Sequence, residues 1–157
     1  MRRQTDQQRE PIAALHLWTY EAALRAAPYL RAVVRSLREH WLDFQSLRRQ
    51  IQRLDSRPGR PDRQTLIRRT LAVKELDQAH IELEETFQEL KAIDVYCVDP
   101  VNGLALIPFG NGDELAWYMF DLFSPQGLEA WRFHGDPLEM RRPLEQNAGS
   151  ELPTRSA

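Results

Sequence analysis

Two stripes of large apolar residues, read in opposite chain directions about Gly59, constrain this sequence more than any other feature. The first runs Leu30, Val34, Leu37, Trp41, Phe44, Leu47, Ile51, Leu54. The second runs Leu66, Thr70, Val73, Leu76, His80, Leu83, Phe87, Leu90. Both advance in steps of three and four, the spacing of one face of an α-helix. Folded antiparallel, one register pairs every position, from Leu30 with Leu90 to Leu54 with Leu66, and sets the irregular step of each stripe against that of the other. Unrelated helices rarely agree in this way, so the stripes predict an antiparallel helical hairpin with a coiled-coil-like seam. Thr19 and Asp62 are suitable N-caps, with Glu21 in a first turn where the helix dipole favours negative charge. Pro28 lacks an N–H and crowds the preceding turn, which predicts a kink or break between a short first helix and the long one. Ser56-Arg57-Pro58-Gly59-Arg60-Pro61 closes that helix and turns the chain.

After Ile93 the period changes to short runs divided by turn chemistry, at 95–99, 104–109, 115–123 and 128–133. The expectation is α+β: a long hairpin over 19–93 packed on a four-stranded antiparallel meander over 95–133, within one domain spanning 17–144. Residues 1–16 are expected to form a flexible arm and 145–157 a disordered tail. A two-residue loop in the last hairpin would set Phe123 opposite Leu128 and Phe120 opposite Trp131. One sheet face then carries Tyr118, Phe120, Leu122, Trp131 and Phe133, and the other Leu115, Trp117, Met119 and Phe123. A hairpin covers one face only. The segment from Pro137 to Leu144, the N-terminal arm or a second subunit must cover the other, and because the arms carry few large aliphatic residues the favoured cover is a second copy bound through Trp117, Met119 and Phe123, a homodimer.

Composition limits the remaining classes. The 157 residues suit one domain, and 42% hydrophobic with 28% charged residues is an ordinary globular balance. No apolar run approaches the roughly 20 residues of a membrane span, and Met1 to Asp6 lacks the apolar stretch of a signal peptide. A cytoplasmic location without a membrane partner is expected. Cys97, the single cysteine, lies in an apolar run and reads as a buried inert thiol. Net charge is only −2, yet it is segregated: Arg48 to Arg69 holds eight arginines against two acids, and Thr70 to Glu139 holds fourteen acids against three bases.

From Trp18 to Leu144 the chain resembles a bacterial family catalogued as domain of unknown function 2203. The likeness is carried by Trp18-Thr19-Tyr20-Glu21-Ala22-Ala23 through Pro28 and, at the far end, by Trp131 and Arg141-Arg142-Pro143-Leu144. The chain departs from the family pattern at Gly103-Leu104-Ala105-Leu106-Ile107-Pro108-Phe109, which lacks the family's acid, at Met119 to Pro125, and at Trp131-Arg132-Phe133. The resemblance implies a fold and no activity.

The candidate chemistry is sparse. His80 and Glu84 have the one-turn spacing of helical metal ligands, but His80 falls in the predicted seam and reads as a core histidine, so no metal or cofactor is assigned. Asp121, Arg132, His134 and Asp136 can converge near the last strands, and Asp121 with Arg132 reads as a cross-strand ion pair. Gly110-Asn111-Gly112 reads as a hairpin turn and not as a phosphate loop, and no catalytic residue is assigned. Two readings follow: a non-enzymatic interaction or scaffold protein that self-associates, and a nucleic-acid or phosphate-binding accessory protein using Arg48, Arg49, Arg53, Arg57, Arg60 and Arg63 at the hairpin tip. A small-molecule site on the aromatic sheet face is a third.

Overall fold

The computed structural model describes residues 15–144, so the expectations for 1–14 and for the tail lie outside the described residues. Helix α1 spans Tyr20–Asp55 and α2 spans Arg63–Lys91. Both predicted caps are in place, since the Thr19 hydroxyl accepts the Ala22 N–H at 3.1 Å and the Asp62 carboxylate accepts the Thr65 N–H at 2.7 Å. Gly59 turns the chain between them at φ +89°, a left-handed conformation in which a side chain would be strained. The break expected at Pro28 is not there: α1 runs through it. Pro28 and Leu24, whose carbonyl loses its helical donor, both face solvent, where water can take the freed oxygen.

The helices pack together, but the seam differs from the predicted stripe beyond Leu83. Towards the tip, the buried row of α2 continues through Ala79 and Ala72, which are 7% and 3% exposed, while His80 and Thr70 are exposed and Leu66 is 50% exposed. The offset is one residue, a rotation of about 100°. Alanines can be buried whole and let two backbones approach, and the larger side chains are then displaced to the flanks. Reading the stripe by side-chain bulk misses this.

Five strands follow in a meander ordered β1-β2-β3-β4-β5: β1 Tyr96–Asp99, β2 Leu104–Asn111, β3 Glu114–Asp121, β4 Leu128–Phe133 and the short β5 Arg142–Pro143. The fifth, which the sequence pattern did not suggest, pairs Trp131 with Arg142 and Ala130 with Pro143 at the edge, a position that tolerates a proline. Between β3 and β4 the expected two-residue loop is replaced by a longer one, so Tyr118 lies opposite Trp131 and, past a bulge, Phe120 opposite Leu128. The shift at Trp131 is two residues. An even shift keeps each side chain on its face, and the predicted division of the faces survives for the strand residues.

The main core lies between the hairpin and the inner sheet face. Leu30, Val34 and Leu37 of α1 and Leu83 and Leu90 of α2 meet Ile107, Phe109, Tyr118 and Phe120, with the Phe109 and Tyr118 rings stacked at 3.8 Å. Arg31 and Arg38 fasten α1 to the sheet end by donating to the carbonyls of Leu122 (2.8 Å), Ser124 (2.9 Å) and Val101 (2.8 Å). Beyond Phe44, which still packs on this core, both helices continue as an arm on the order of 20 Å long at 1.5 Å per residue. Gly103 makes the base compact: at φ +64° it comes so close to Leu122 that a Cβ there would meet the Leu122 Cβ at 2.5 Å.

The outer sheet face carries Leu106, Trp117, Met119 and Ala130, flanked by Leu15, Tyr96 and Leu115. Trp117 and Met119 are 9% and 5% exposed within the single chain. This face therefore needs no second subunit to bury it, and the sheet-mediated dimer loses its main support. Phe123 does not belong to the face. It sits in the β3–β4 turn, 64% exposed, with the Arg38 guanidinium 5.2 Å from its ring.

Candidate functional site on the helical arm

The arm divides its arginines among different surroundings. The exposed Arg48 guanidinium lies 5.8 Å from the centre of the Phe44 ring. Arg69 is paired with Asp55 at 2.7 Å, a bond that raises the Arg69 pKa. Arg57, Arg60 and Arg69 border a tip hollow of about 340 Å³ together with Asp55 and Asp62. Hydrogen bonds from Thr65 hold the Asp62 carboxyl below the usual carboxylate range, and the charges of Arg57 and Arg68 add to that effect. Arg49 and Arg63 are exposed.

One groove differs in kind. Arg53, Arg57 and Arg68 line it with Ser46, Gln50 and Leu54, enclosing about 300 Å³, and none of these lining residues is an acid. Ser46, Gln50, Arg53 and Arg57 recur in steps of four, three and four, which brings them along one flank of α1 and its C-terminal turn. Arg68 completes the set from α2. Of the arginines singled out in the sequence, the groove thus joins two, Arg53 and Arg57, and adds Arg68, whose inclusion depends on how α2 is rotated against α1.

Ser46 also lines the next groove towards the base, of about 380 Å³, with Asp43, Leu47, Glu75, Gln78, Ala79 and Glu82. This one has three acids and no base. Glu82 lies 3.4 Å from His40 Nδ1 and accepts from the Gln78 amide at 3.3 Å, and His40 Nε2 is 3.3 Å from the Ser36 hydroxyl. Ser36, His40 and Glu82 have the connectivity of a Ser-His-acid relay, which residues so far apart in sequence do not reveal. Yet Ser36 lies mid-helix, where the surrounding N–H groups serve the helix and supply no oxyanion donors. The three residues tie α1 to α2.

The cluster expected near the last strands forms only in part. Arg132 pairs across the sheet with Trp117, four residues from Asp121, so the Asp121–Arg132 pair is not made. Asp136 instead bonds Arg142 at 2.9 and 3.1 Å and accepts the Phe133 N–H at 2.8 Å. These contacts, the Arg142 bond first, keep its carboxyl below the usual range. His134 accepts the Trp117 indole N–H at 3.1 Å. Arg132 is buried, donates to the Asp136 carbonyl at 3.4 Å, and its Nε finds no partner among the described residues.

His80 is exposed on α2, its ring 5.7 Å from that of Phe44, and not buried opposite Trp41. Among the described residues no three His, Cys, Asp or Glu side chains gather as metal ligands would. Burial pushes the Cys97 thiol up to about 11, so it stays protonated at neutral pH. No helix among the described residues is long and apolar enough to cross a membrane. No protein-family model matches the chain, and no curated protein or solved structure matches it.

Proposed function

We propose that this is a non-enzymatic interaction protein, a sheet-and-hairpin base carrying a two-helix arm whose basic groove engages an anionic surface. The observation that carries this reading is the groove bordered by Arg53, Arg57 and Arg68 together with Ser46 and Gln50, without an acid among its lining residues. Guanidinium groups present forked donors suited to both carboxylate and phosphate oxygens. Nucleic acid and an acidic protein surface are the two sources of such oxygens. Membership of the family the chain resembles would add a fold and no activity.

The test is fluorescence anisotropy with two anionic probes, a mixed-sequence DNA duplex and a polyglutamate peptide, titrated with the full chain over a range of salt. Binding to one or both should weaken steeply as salt rises and be lost in the Arg53→Gln/Arg57→Gln/Arg68→Gln variant. Preference for the duplex would favour nucleic acid, and preference for the peptide a protein surface. Binding of neither probe at low ionic strength, by protein that sedimentation shows to be monomeric, would refute the reading.

A further inference from the structure

The basic and acidic grooves share Ser46, lie end to end on the arm and are matched in charge: Arg53, Arg57 and Arg68 in one, Asp43, Glu75 and Glu82 in the other. We infer that this flank is a self-complementary interface, on which a second copy of the chain seats antiparallel so that each basic groove meets the other's acidic groove. The inference rests on the proposed reading of the basic groove and names its partner.

Three observations carry it. The first is access. Arg31 and Arg38 mark the side of α1 that faces the sheet, since both donate to carbonyls at its end. At about 100° per residue, positions 43, 46, 50, 53 and 57, which carry the two grooves on α1, point on average about 90° from that side, so the flank lies beside the base and is open to a second arm.

The second is symmetry. A twofold axis that exchanges Arg53 with Asp43 crosses α1 at Arg48, and one that exchanges Arg68 with the midpoint of Glu75 and Glu82 crosses α2 near Val73. The contacts between Phe44 and His80 and between Asp55 and Arg69 set the level of one helix against the other. They place Arg48 and Val73 within about one helical turn of each other. A single axis can therefore serve both helices, as an isologous dimer requires.

The third is the discrimination it provides. A uniform polyanion lying along the whole flank would be attracted by one half and repelled by Asp43, Glu75 and Glu82 in the other. An antiparallel copy satisfies both halves at once. Ser46 is a small exposed residue near the axis, and the exposed Ile67 and Leu71 beside the basic half offer apolar surface to be covered.

Sedimentation velocity of the full chain, over a range of concentration and salt, tests this with two reversals at exposed positions, Arg53→Glu/Arg68→Glu and Asp43→Arg/Glu75→Arg. The wild type should dimerise reversibly, and more weakly as salt rises. Each reversal alone should weaken self-association by about tenfold or more, and an equimolar mixture of the two should associate more tightly than either. Glu82 is left unchanged so that its contact with His40 stays intact. Should circular dichroism show either reversal misfolded, Arg53→Gln/Arg68→Gln and Asp43→Asn/Glu75→Gln must instead flatten the salt dependence of dimerisation. A wild type that is monomeric throughout overturns the inference, as does a mixture no tighter than its components or a dimer insensitive to salt and to both reversals. If the same protein still binds polyglutamate or duplex through Arg53, the general reading survives that failure; if it binds neither, both fall.

Discussion

The base and the arm of the hairpin are built from the same two helices on different terms. In the base, Leu30, Val34, Leu37 and Leu90 are almost wholly buried against a sheet that contributes Ile107 and Phe120. In the arm no sheet lies behind the helices, Phe44, Leu47, Ile51 and Val73 are only half-buried, and alanines form the seam of α2. The difference separates two tasks. Burial of large side chains in three packed elements supplies stability, whereas a thin two-helix arm with a close seam displays charge on its flanks at little cost to the core.

The contrast can be broken most severely from the base side. Phe120→Ala should destabilise the fold by about 3–5 kcal/mol, since it removes a fully buried ring from between hairpin and sheet. Leu37→Ala and Leu83→Ala, both in the same core, should each cost roughly 2–5 kcal/mol. Denaturant unfolding measures all three, and near-neutral values would mean that the stability resides elsewhere. In the arm, Ala72→Leu should cost about 1–3 kcal/mol by forcing the seam apart. Leu66→Ala, at a position the apolar stripe places in the seam and the structure places on the flank, should stay within about 0.5 kcal/mol. If these two reversed in order, the alanine seam would be wrong and the stripe right. The smallest effect concerns Cys97: with its thiol pKa raised to about 11, a thiol reagent at neutral pH should react far more slowly with native protein than with protein unfolded in urea.

Much of this architecture was legible because its signals are local. Thr19 and Asp62 announce helix starts by their own chemistry, and Gly59 between prolines announces the turn. The α+β class follows from the change of period after Ile93. What could not be read depends on relations between segments. The rotation of α2 by one residue rests on Ala72 and Ala79, which carry little weight in a pattern of large apolar groups. The β3–β4 register depends on a turn in which Arg31 holds the Leu122 and Ser124 carbonyls from another element. β5 is two residues long and contains a proline, too little for any periodicity. Burial of Trp117 and Met119 depends on their neighbours across the sheet, which alternation along one strand does not contain. The arginine-rich tip was visible as composition, but its division into a groove, an ion pair with Asp55 and a contact with Phe44 depends on the side-chain directions of both helices.

If the proposed function holds, an anionic partner meets this protein on the flank of the arm and not on the sheet. The most direct measurement is an NMR titration of the labelled chain with polyglutamate or duplex at low ionic strength, following backbone amides and the arginine side-chain Nε–H resonances. Shifts should be largest at Arg53, Arg57, Arg68 and their neighbours Ser46 and Gln50, and should be reversed by added salt. Shifts centred on Trp117, Met119 and Arg132, with the arm unmoved, would contradict that placement.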